Sequence, residues 1–355
     1  MKINLMIFVK NIVRRREKCN INFIFILPKE KMKKVLLLVF NIGGYEKQII
    51  NRLERIGYNV LIINFSLERY RKARKIKNIF LRIYNDQYLR KYKNKNLKDK
   101  LQLEELNKDL SLINEEFEMI IKIGSIPFYE ETLRILRGKT NKLISHHWDT
   151  LEFAKNVDIS LEKKYFDKIS SFYRKDCEKY GLKYLPNFYF QKFEKITETK
   201  VDVYTIMADS NKKELLEKIA KKMKQQEIIT NLNLVDYDSK EKSAYINILT
   251  ERISVEEMLK NFRESKCILE INKDNSKGYT MRTFDAIGLK KKLITTNKSV
   301  VNEDFYRPNN ILVIDEENIV IPKEFIDSPY EELPKEIYEK YSLENWVKQL
   351  MNIEE

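Results

Sequence analysis

Short apolar, β-prone runs alternate with helical segments through most of this 355-residue chain. The first repeat of the pattern is a strand at 35–40, a glycine-containing turn, a helix at 45–56 and a second strand at 60–64. Alternation of this kind is typical of a parallel sheet whose faces are covered by helices. Because a strand–helix series also runs from 117 to 180 and starts again at 201, the sequence predicts an α/β fold with two doubly wound domains.

The chain is long enough to bury two cores of ordinary size. In residues 1–31 every apolar run is short and interrupted by charged or polar residues, so this N-terminal extension matches neither a membrane helix nor a signal peptide. We expect Met32 to be the natural start. The two domains are predicted to cover 32–190 and 191–335, followed by a helical segment at 336–355.

Residues 277–297, KGYTMRTFDAIGLKKKLITTN, combine a turn, a helix and a buried strand. Gly278 can adopt a positive φ or let a ligand approach the backbone closely. Thr280 can cap the following helix, and Gly288 is expected to end it. Residues 293–296 form the predicted next strand. Since ligands of α/β sheets collect at such strand ends, the segment predicts a site for a phosphorylated ligand.

The order of Gly278, Asp285, Ala286 and Gly288 ahead of a strand resembles the donor-sugar motif of glycosyltransferases with the GT-B fold. The flanking segments ILEINKDN and EDFYRPNNILVID resemble bacterial glycosyltransferases of lipopolysaccharide and capsule assembly, and the similarity extends to the spore-coat-type group. The resemblance implies two Rossmann-like domains facing a cleft, with a final helix that returns to the first domain. It also implies a nucleotide-sugar donor and an oligosaccharide or lipid-linked acceptor.

The same resemblance implies roles for side chains in the motif. Asp285 would hydrogen-bond ribose or sugar hydroxyls, while Thr280 and the amides near Gly278 would meet phosphate. Cations and helix dipoles would balance the charge that develops on the leaving diphosphate. The candidate cations are Arg282, Lys277 and Lys212.

Asp236 and Asp238 have the D-x-D spacing of the metal-binding carboxylates found in the other glycosyltransferase architecture. They follow a predicted strand in a polar stretch, which favours a solvated turn over a metal site. We therefore expect no metal and no other cofactor.

His146 and His147 are the two histidines of the chain, and they end a predicted strand beside Trp148 and Asp149. Histidine exchanges protons near neutral pH, and a nearby carboxylate can hold its tautomer. The cluster of His146, His147 and Asp149 is therefore the candidate base for activating an acceptor hydroxyl. The alternative is that Trp148 and one histidine pack the edge of the domain.

Gly43 and Gly44 lie between the first strand and its helix, where backbone amides can face a ligand. The segment matches neither the dinucleotide fingerprint nor a P-loop, which weighs against hydride transfer and nucleoside-triphosphate hydrolysis. The resemblance implies that this loop lines the acceptor side of the cleft. A plain tight turn is the alternative.

The net charge of +14 implies attraction to an anionic partner, and residues 66–100 carry most of it. This segment has 13 Lys or Arg against three acidic residues, with aromatics at near-helical spacing. Its simplest interpretation is a solvated helical face, and its functional interpretation is docking on anionic lipid. No nucleic acid is expected because no recognition module accompanies the patch.

Three scattered cysteines, with no disulfide framework, favour a cytosolic location, with peripheral contact at the inner membrane face.

The sequence therefore predicts a metal-independent glycosyltransferase that extends a cell-surface oligosaccharide. A non-catalytic basic α/β protein that binds nucleic acid or anionic membrane is the alternative.

Overall fold

The computed structural model describes residues 33–39, 44–64, 103–104, 106–154, 156–194, 198–208, 211–237, 239, 241–272 and 278–353. The predicted N-terminal extension and the basic segment 66–100 lie outside these residues, as do Gly43, Asp238 and Lys277. The chain divides into two compact units, Met1–Tyr184 and Leu185–Glu355. None of the described helices is long and apolar enough to cross a membrane.

The first unit alternates strands and helices throughout its described part. Its elements are β1 (Lys33–Val39), α1 (Glu46–Arg55), β2 (Tyr58–Asn64), β3 (Met119–Ile123), α2 (Glu130–Arg137), β4 (Leu143–His147), α3 (Ile159–Tyr165), β5 (Lys168–Ser171), α4 (Arg174–Tyr180) and β6 (Lys183–Tyr184). The six strands form a parallel sheet in the order β2-β1-β3-β4-β5-β6. This order follows the flavodoxin-like form of the doubly wound fold.

The central strand β1 shows why the sequence folds this way. Five consecutive aliphatic residues, from Val35 to Val39, are fully buried. Leu37 pairs in register with Ile62 on one side and with Ile121 on the other. A continuous aliphatic run of this kind is typical of a parallel strand covered on both faces.

The second unit has the same alternation. Its elements are β7 (Val201–Ala208), α5 (Lys213–Gln225), β8 (Thr230–Val235), β9 (Asn247–Leu249), α6 (Val255–Arg263), β10 (Ser265–Glu270), α7 (Met281–Gly288), β11 (Lys292–Thr295), a 3-10 helix (Lys298–Asn302), β12 (Ile311–Val313), α8 (Lys323–Asp327), α9 (Lys335–Lys340) and α10 (Leu343–Met351). The strands form a second six-stranded parallel sheet in the order β12-β11-β10-β7-β8-β9. The predicted fold class, two doubly wound α/β domains, is confirmed.

The strand order of the second unit locates its topological switch point. β7 is the first strand of the unit, β8 and β9 follow on one side, and β10, β11 and β12 follow on the other. The order in which successive strands are added to the sheet therefore reverses between β7 and β10, although the two strands are parallel. In open parallel sheets, ligands bind outside the carboxyl ends of the strands at such a point.

Gly288 is the last residue of α7, so the helix ends where the sequence predicts. It is not a left-handed cap, however, because the C-cap is Leu289 and the left-handed residue beyond the helix is Lys290, with a φ of 51°. A Cβ built on Gly288 would lie 2.4 Å from Cγ of Tyr189. The glycine is needed because the segment that enters the second unit crosses the helix at this point, and a larger residue would clash.

The final helix α10 packs on the segment that opens the second unit. Phe188 and Trp346 have ring centroids 4.7 Å apart. The backbone N–H of Leu343 donates to the carbonyl of Tyr189 at 2.7 Å. These contacts assign α10 to the second unit, and its predicted return to the first domain stays a prediction.

Candidate functional site

Arg282 connects α7 to the carboxyl end of β7. Its Nε donates to the carbonyl oxygen of Ile206 at 3.0 Å, and Nη2 donates to the same oxygen. Both bonds hold the guanidinium beside the switch point of the sheet. Among the described residues, no hydrogen-bond partner is found for Nη1 of Arg282, so this edge of the guanidinium can donate to a ligand.

Glu270, the last residue of β10, is fully buried and accepts three hydroxyl hydrogen bonds. Its Oε1 accepts from Thr280 at 2.5 Å and from Thr283 at 3.1 Å. Its Oε2 accepts from Thr295, on β11, at 2.8 Å. The carboxylate therefore ties the start of α7 to the carboxyl ends of two strands. Glu270 was not among the predicted site residues, although a carboxylate at the end of a buried apolar run is a recognisable signal.

The turn before α7 has the conformation that the sequence predicts. Gly278 has a φ of 79°, in the left-handed region that favours glycine. Thr280 is the N-cap of α7, and its Oγ1 accepts from the backbone N–H of Arg282 at 3.2 Å. Both structural predictions are confirmed. The first turn of α7 therefore offers backbone donors and the positive end of a helix dipole at the switch point.

Asparagines hold the turn from both sides. The Nδ2 of Asn272 donates to the carbonyl of Gly278 at 3.0 Å, and Nδ2 of Asn297 donates to the same oxygen at 3.4 Å. Thr296 bonds both the backbone N–H and the carbonyl of Asn272, at 2.8 and 3.0 Å. The loops that follow β10 and β11 thus fix the position of the turn.

Asp285 and Lys212, which the sequence also predicts to bind the nucleotide-sugar donor, differ in their burial and position. Asp285 is 2 % exposed and lies within the run of α7 that is buried from Thr283 onward. Its side chain therefore faces the interior of the unit, and the predicted contact with ribose or sugar stays a prediction. Lys212 is the N-cap of α5, four residues beyond the end of β7, and is half-buried.

His146 and His147 are both fully buried at the end of β4. Because successive side chains of a strand point to opposite faces, the two imidazoles enter different layers. Nδ1 of His146 lies 2.9 Å from Oγ of Ser170. Nε2 of His147 lies 3.0 Å from a carboxylate oxygen of Glu162. The structure therefore does not bring the two histidines together as one cluster.

The carboxylate beside His147 differs from the expected one. Asp149 is exposed, and its backbone N–H and carbonyl both bond Oγ of Ser125, at 3.1 and 2.8 Å. The partner of the imidazole is instead Glu162, on α3, which also pairs with the buried Lys122. The sequence could not show this relation because Glu162 lies 15 residues beyond His147.

Burial governs the protonation of this region. It lowers the pKa of His146 to about 3, so the imidazole is neutral at neutral pH. For Glu162, burial alone would raise the pKa, but attraction to Lys122 and His147 outweighs it and lowers the pKa to about 2. The described histidines thus belong to buried polar networks, and their predicted role toward an acceptor hydroxyl stays a prediction.

Gly44 begins the turn before α1 with a φ of 93°. The following Tyr45 is buried, with its ring centroid 6.4 Å from that of Trp148. The glycine thus serves a turn, as one of the two interpretations of the loop expects. Its predicted contact with an acceptor stays a prediction.

Metal ligation has no ready site in the described part of the chain. No group of three or more His, Cys, Asp or Glu side chains there could hold an ion. Asp236 follows β8 directly, and its backbone N–H donates to the carbonyl of Leu249 at 2.9 Å.

No protein-family model and no curated protein sequence matches this chain. Solved structures do share its fold. A UDP-forming alpha,alpha-trehalose-phosphate synthase from Burkholderia xenovorans has a TM-score of 0.55 at 10% identity, with 90% of this chain and 98% of that chain covered. The apo structure of OtsA has a TM-score of 0.50 at 11% identity, with 91% of this chain and 100% of that chain covered. The chain therefore has the fold of these proteins, two Rossmann-like domains in succession.

Proposed function

We propose that this protein is a glycosyltransferase that moves a sugar from a nucleotide-sugar donor to a hydroxyl of an oligosaccharide. The single observation that carries the proposal is the arrangement at the β7–β10 switch point. There, the Gly278–Thr280 turn, the N-terminus of α7 and the anchored guanidinium of Arg282 adjoin the carboxyl ends of the strands.

This arrangement suits a diphosphate. Phosphate oxygens accept hydrogen bonds from backbone amides at a helix N-terminus, where the dipole also favours negative charge. Nη1 of Arg282 adds a cationic donor that carries no other hydrogen bond among the described residues. Such fixed donors would stabilise the charge that develops on the nucleoside diphosphate as the sugar leaves. We therefore propose that transfer needs no metal ion.

The fold agrees with this chemistry. The synthase from Burkholderia xenovorans is described as UDP-forming, which means that its reaction releases a nucleoside diphosphate. A nucleotide-sugar donor in the second unit of this chain would have the same leaving group. The finer proposal, an acceptor in lipopolysaccharide or capsule assembly at the cytoplasmic membrane face, rests on the sequence resemblance and on the basic segment 66–100.

The test is a thermal-shift and calorimetric titration of the full chain with nucleoside diphosphates and nucleotide sugars, with and without EDTA. Selective stabilisation by one nucleotide is expected, because a ligand that binds only the folded state raises its stability. Arg282→Ala should remove most of this stabilisation. Arg134→Ala is the matched control, since that arginine forms a surface pair with Glu130 in the first unit.

Three results would contradict parts of the proposal. If no nucleotide stabilises the chain in either buffer, the second unit has no donor site. Stabilisation that survives Arg282→Ala unchanged would place the nucleotide elsewhere. Dependence on a divalent ion, abolished by EDTA, would contradict the metal-independent mechanism.

A further inference from the structure

An asparagine groove lies on the second unit, away from the candidate donor site. It is an open depression of about 630 Å³ lined by polar and aliphatic residues of β8, β9 and the segment that joins them. Its polar lining residues are Asn231, Asn233, Asn247, Glu241, Lys242 and Ser243. Asn231 and Asn247 stand near the beginnings of their strands, whereas the donor site lies at the carboxyl ends of β7 and β10.

The strand register brings the three amides together. Asn233 pairs with Asn247 across the β8–β9 ladder. Oδ1 of Asn231 accepts from Nδ2 of Asn233 at 2.9 Å and from Nδ2 of Asn247 at 3.1 Å. Oδ1 of Asn233 accepts from Nδ2 of Asn247 at 3.1 Å. The three amides therefore form one hydrogen-bonded cluster on this part of the sheet.

The cluster lies on the face of β8 and β9 opposite α5. The alternate residues Leu232 and Leu234 of β8 are buried in the layer under α5. The asparagines point to the opposite face, where α6 packs chiefly over β7 and β10. Asparagine is disfavoured in strands, so three of them on two adjacent strands weaken the sheet unless their amides serve another purpose.

The hydrogen bonds within the cluster do not involve every amide nitrogen and oxygen. Asn233 is 7 % exposed, donates to the carbonyl of Thr205 at 3.0 Å and is fully engaged. Nδ2 of Asn231 and Oδ1 of Asn247, by contrast, have no hydrogen-bond partner among the described residues. A donor on Asn231 and an acceptor on Asn247 thus remain available on two side chains that hydrogen-bond each other.

We infer that this groove is a saccharide-binding site. An adjacent amide donor and acceptor match the neighbouring hydroxyls of a sugar ring, each of which both donates and accepts. On the wall Glu241 pairs with Lys213, so Lys242 leaves the wall with a single net positive charge. Its volume is in the range of ordinary ligand sites, and its open shape suits one stretch of a longer chain. The inference does not depend on the donor site, which occupies other residues.

The experiment uses the full chain labelled with ¹⁵N at asparagine, so that each side-chain amide gives its own NMR signals. The signals are assigned with Asn231→Ala and Asn247→Ala. Maltohexaose, chitohexaose, dextran and a galacturonate hexamer are titrated to about 10 mM, a range that detects weak binding. Movement of the Asn231 and Asn247 signals by at least one saccharide is expected, with affinity reduced about five-fold or more in Asn247→Ala.

Asn318→Ala is the matched control, since Asn318 is an exposed asparagine elsewhere in the second unit. It should bind as the wild type does. Asn247→Ala removes the hydrogen bonds to Asn231 and Asn233, so some loss of stability is expected. Thermal unfolding of the variant shows that it is folded at the temperature of the titration, which separates loss of binding from loss of fold. The inference is overturned if none of the four saccharides moves these signals, or if Asn247→Ala binds as tightly as Asn318→Ala. Arg282→Ala should leave this titration unaltered, which separates it from failure of the donor site.

Discussion

The guanidinium of Arg282 and the carbonyl oxygen of Ile206 are joined by a hydrogen bond of 3.0 Å from Nε and by a second one from Nη2. The bond fixes an arginine of α7 at the carboxyl end of β7, in the place where the sheet reverses its strand order. A side chain held in this way is pre-organised for a ligand, since little rotamer freedom remains to be lost on binding.

The first prediction concerns the geometry of this arginine. Arg282→Lys keeps the positive charge but cannot donate in a fork to Ile206 and to a ligand together. We expect donor nucleotide affinity to fall about ten-fold or more in Arg282→Lys, and further in Arg282→Ala. Isothermal titration calorimetry with the nucleotide selected in the thermal screen measures the affinities of both variants. Equal affinities in wild type and Arg282→Lys would show that the fork is irrelevant.

The second prediction concerns the carboxylate that anchors the turn. Glu270→Gln replaces one acceptor oxygen by an NH₂ group, which leaves a buried threonine hydroxyl facing a donor. An unmet buried hydrogen bond costs about 1–3 kcal/mol, so we expect a loss of stability of that size. The affinity for the nucleotide-sugar donor should fall as well, because Glu270 holds the hydroxyl of Thr280, which caps α7.

Chemical denaturation gives the stability change for Glu270→Gln. Glu251→Gln is the control, since Glu251 is exposed in a loop of the same unit. If the two variants unfold at the same denaturant concentration, the anchoring role of Glu270 is refuted.

The third prediction uses the close approach at Gly288. Gly288→Ala would bring a Cβ to 2.4 Å from Tyr189, so the entering segment and α7 must separate. Overpacking of this kind costs about 1–3 kcal/mol. The comparison is Gly138→Ala, where the nearest atom lies at 3.5 Å and the φ of −67° suits alanine. That variant should be neutral or slightly stabilised, and a similar loss in both variants would contradict the clash.

The fourth prediction concerns His146 and pH. Its pKa of about 3 in the folded chain lies below the ordinary value of 6.5, because burial opposes the charged form. As pH falls through 6.5 the unfolded chain binds a proton first, so stability is lost between pH 6.5 and 3. The slope for one such group approaches about 1.4 kcal/mol per pH unit. Denaturation across this range should show a shallower slope for His146→Gln, and an unchanged slope would refute the assignment.

The fifth prediction concerns the buried pair of Lys122 and Glu162. The pKa of Glu162 is about 2, below its ordinary value of 4.5, so its contribution is present above pH 4.5 and is lost as pH falls toward 2. Glu162→Gln leaves Lys122 without its counter-charge in the interior. Breaking a buried pair in this way costs about 3–5 kcal/mol. The double variant Lys122→Met with Glu162→Gln should recover part of that loss. Equal stability of Glu162→Gln and the double variant would contradict the role of the unpaired Lys122 charge.

The sequence predicted those parts of the fold that depend on local pattern. The aliphatic run of β1 and the helical spacing of α7 both identified their elements, because each signal lies within a few consecutive residues. β9 and β12 have three residues each, too short for a periodic signal, and neither strand was predicted.

The candidate site was predictable in part for the same reason. Gly278 acts through its own backbone and Thr280 through a hydrogen bond to an amide two residues away, so both were assigned correctly as turn and cap. Glu270 acts through hydroxyls that lie 10, 13 and 25 residues away, so only the folded chain brings its partners together. His146 and His147 looked like one cluster because they are neighbours in sequence, yet strand alternation separates them.

The most direct measurement is a crystal structure of the full chain with the nucleoside diphosphate that the thermal screen selects. We expect the diphosphate at the β7–β10 switch point, with Nη1 of Arg282 and the backbone amides that open α7 within about 3 Å of its oxygens. A nucleotide bound at another part of the chain, with Arg282 still engaged only by Ile206, would contradict the account.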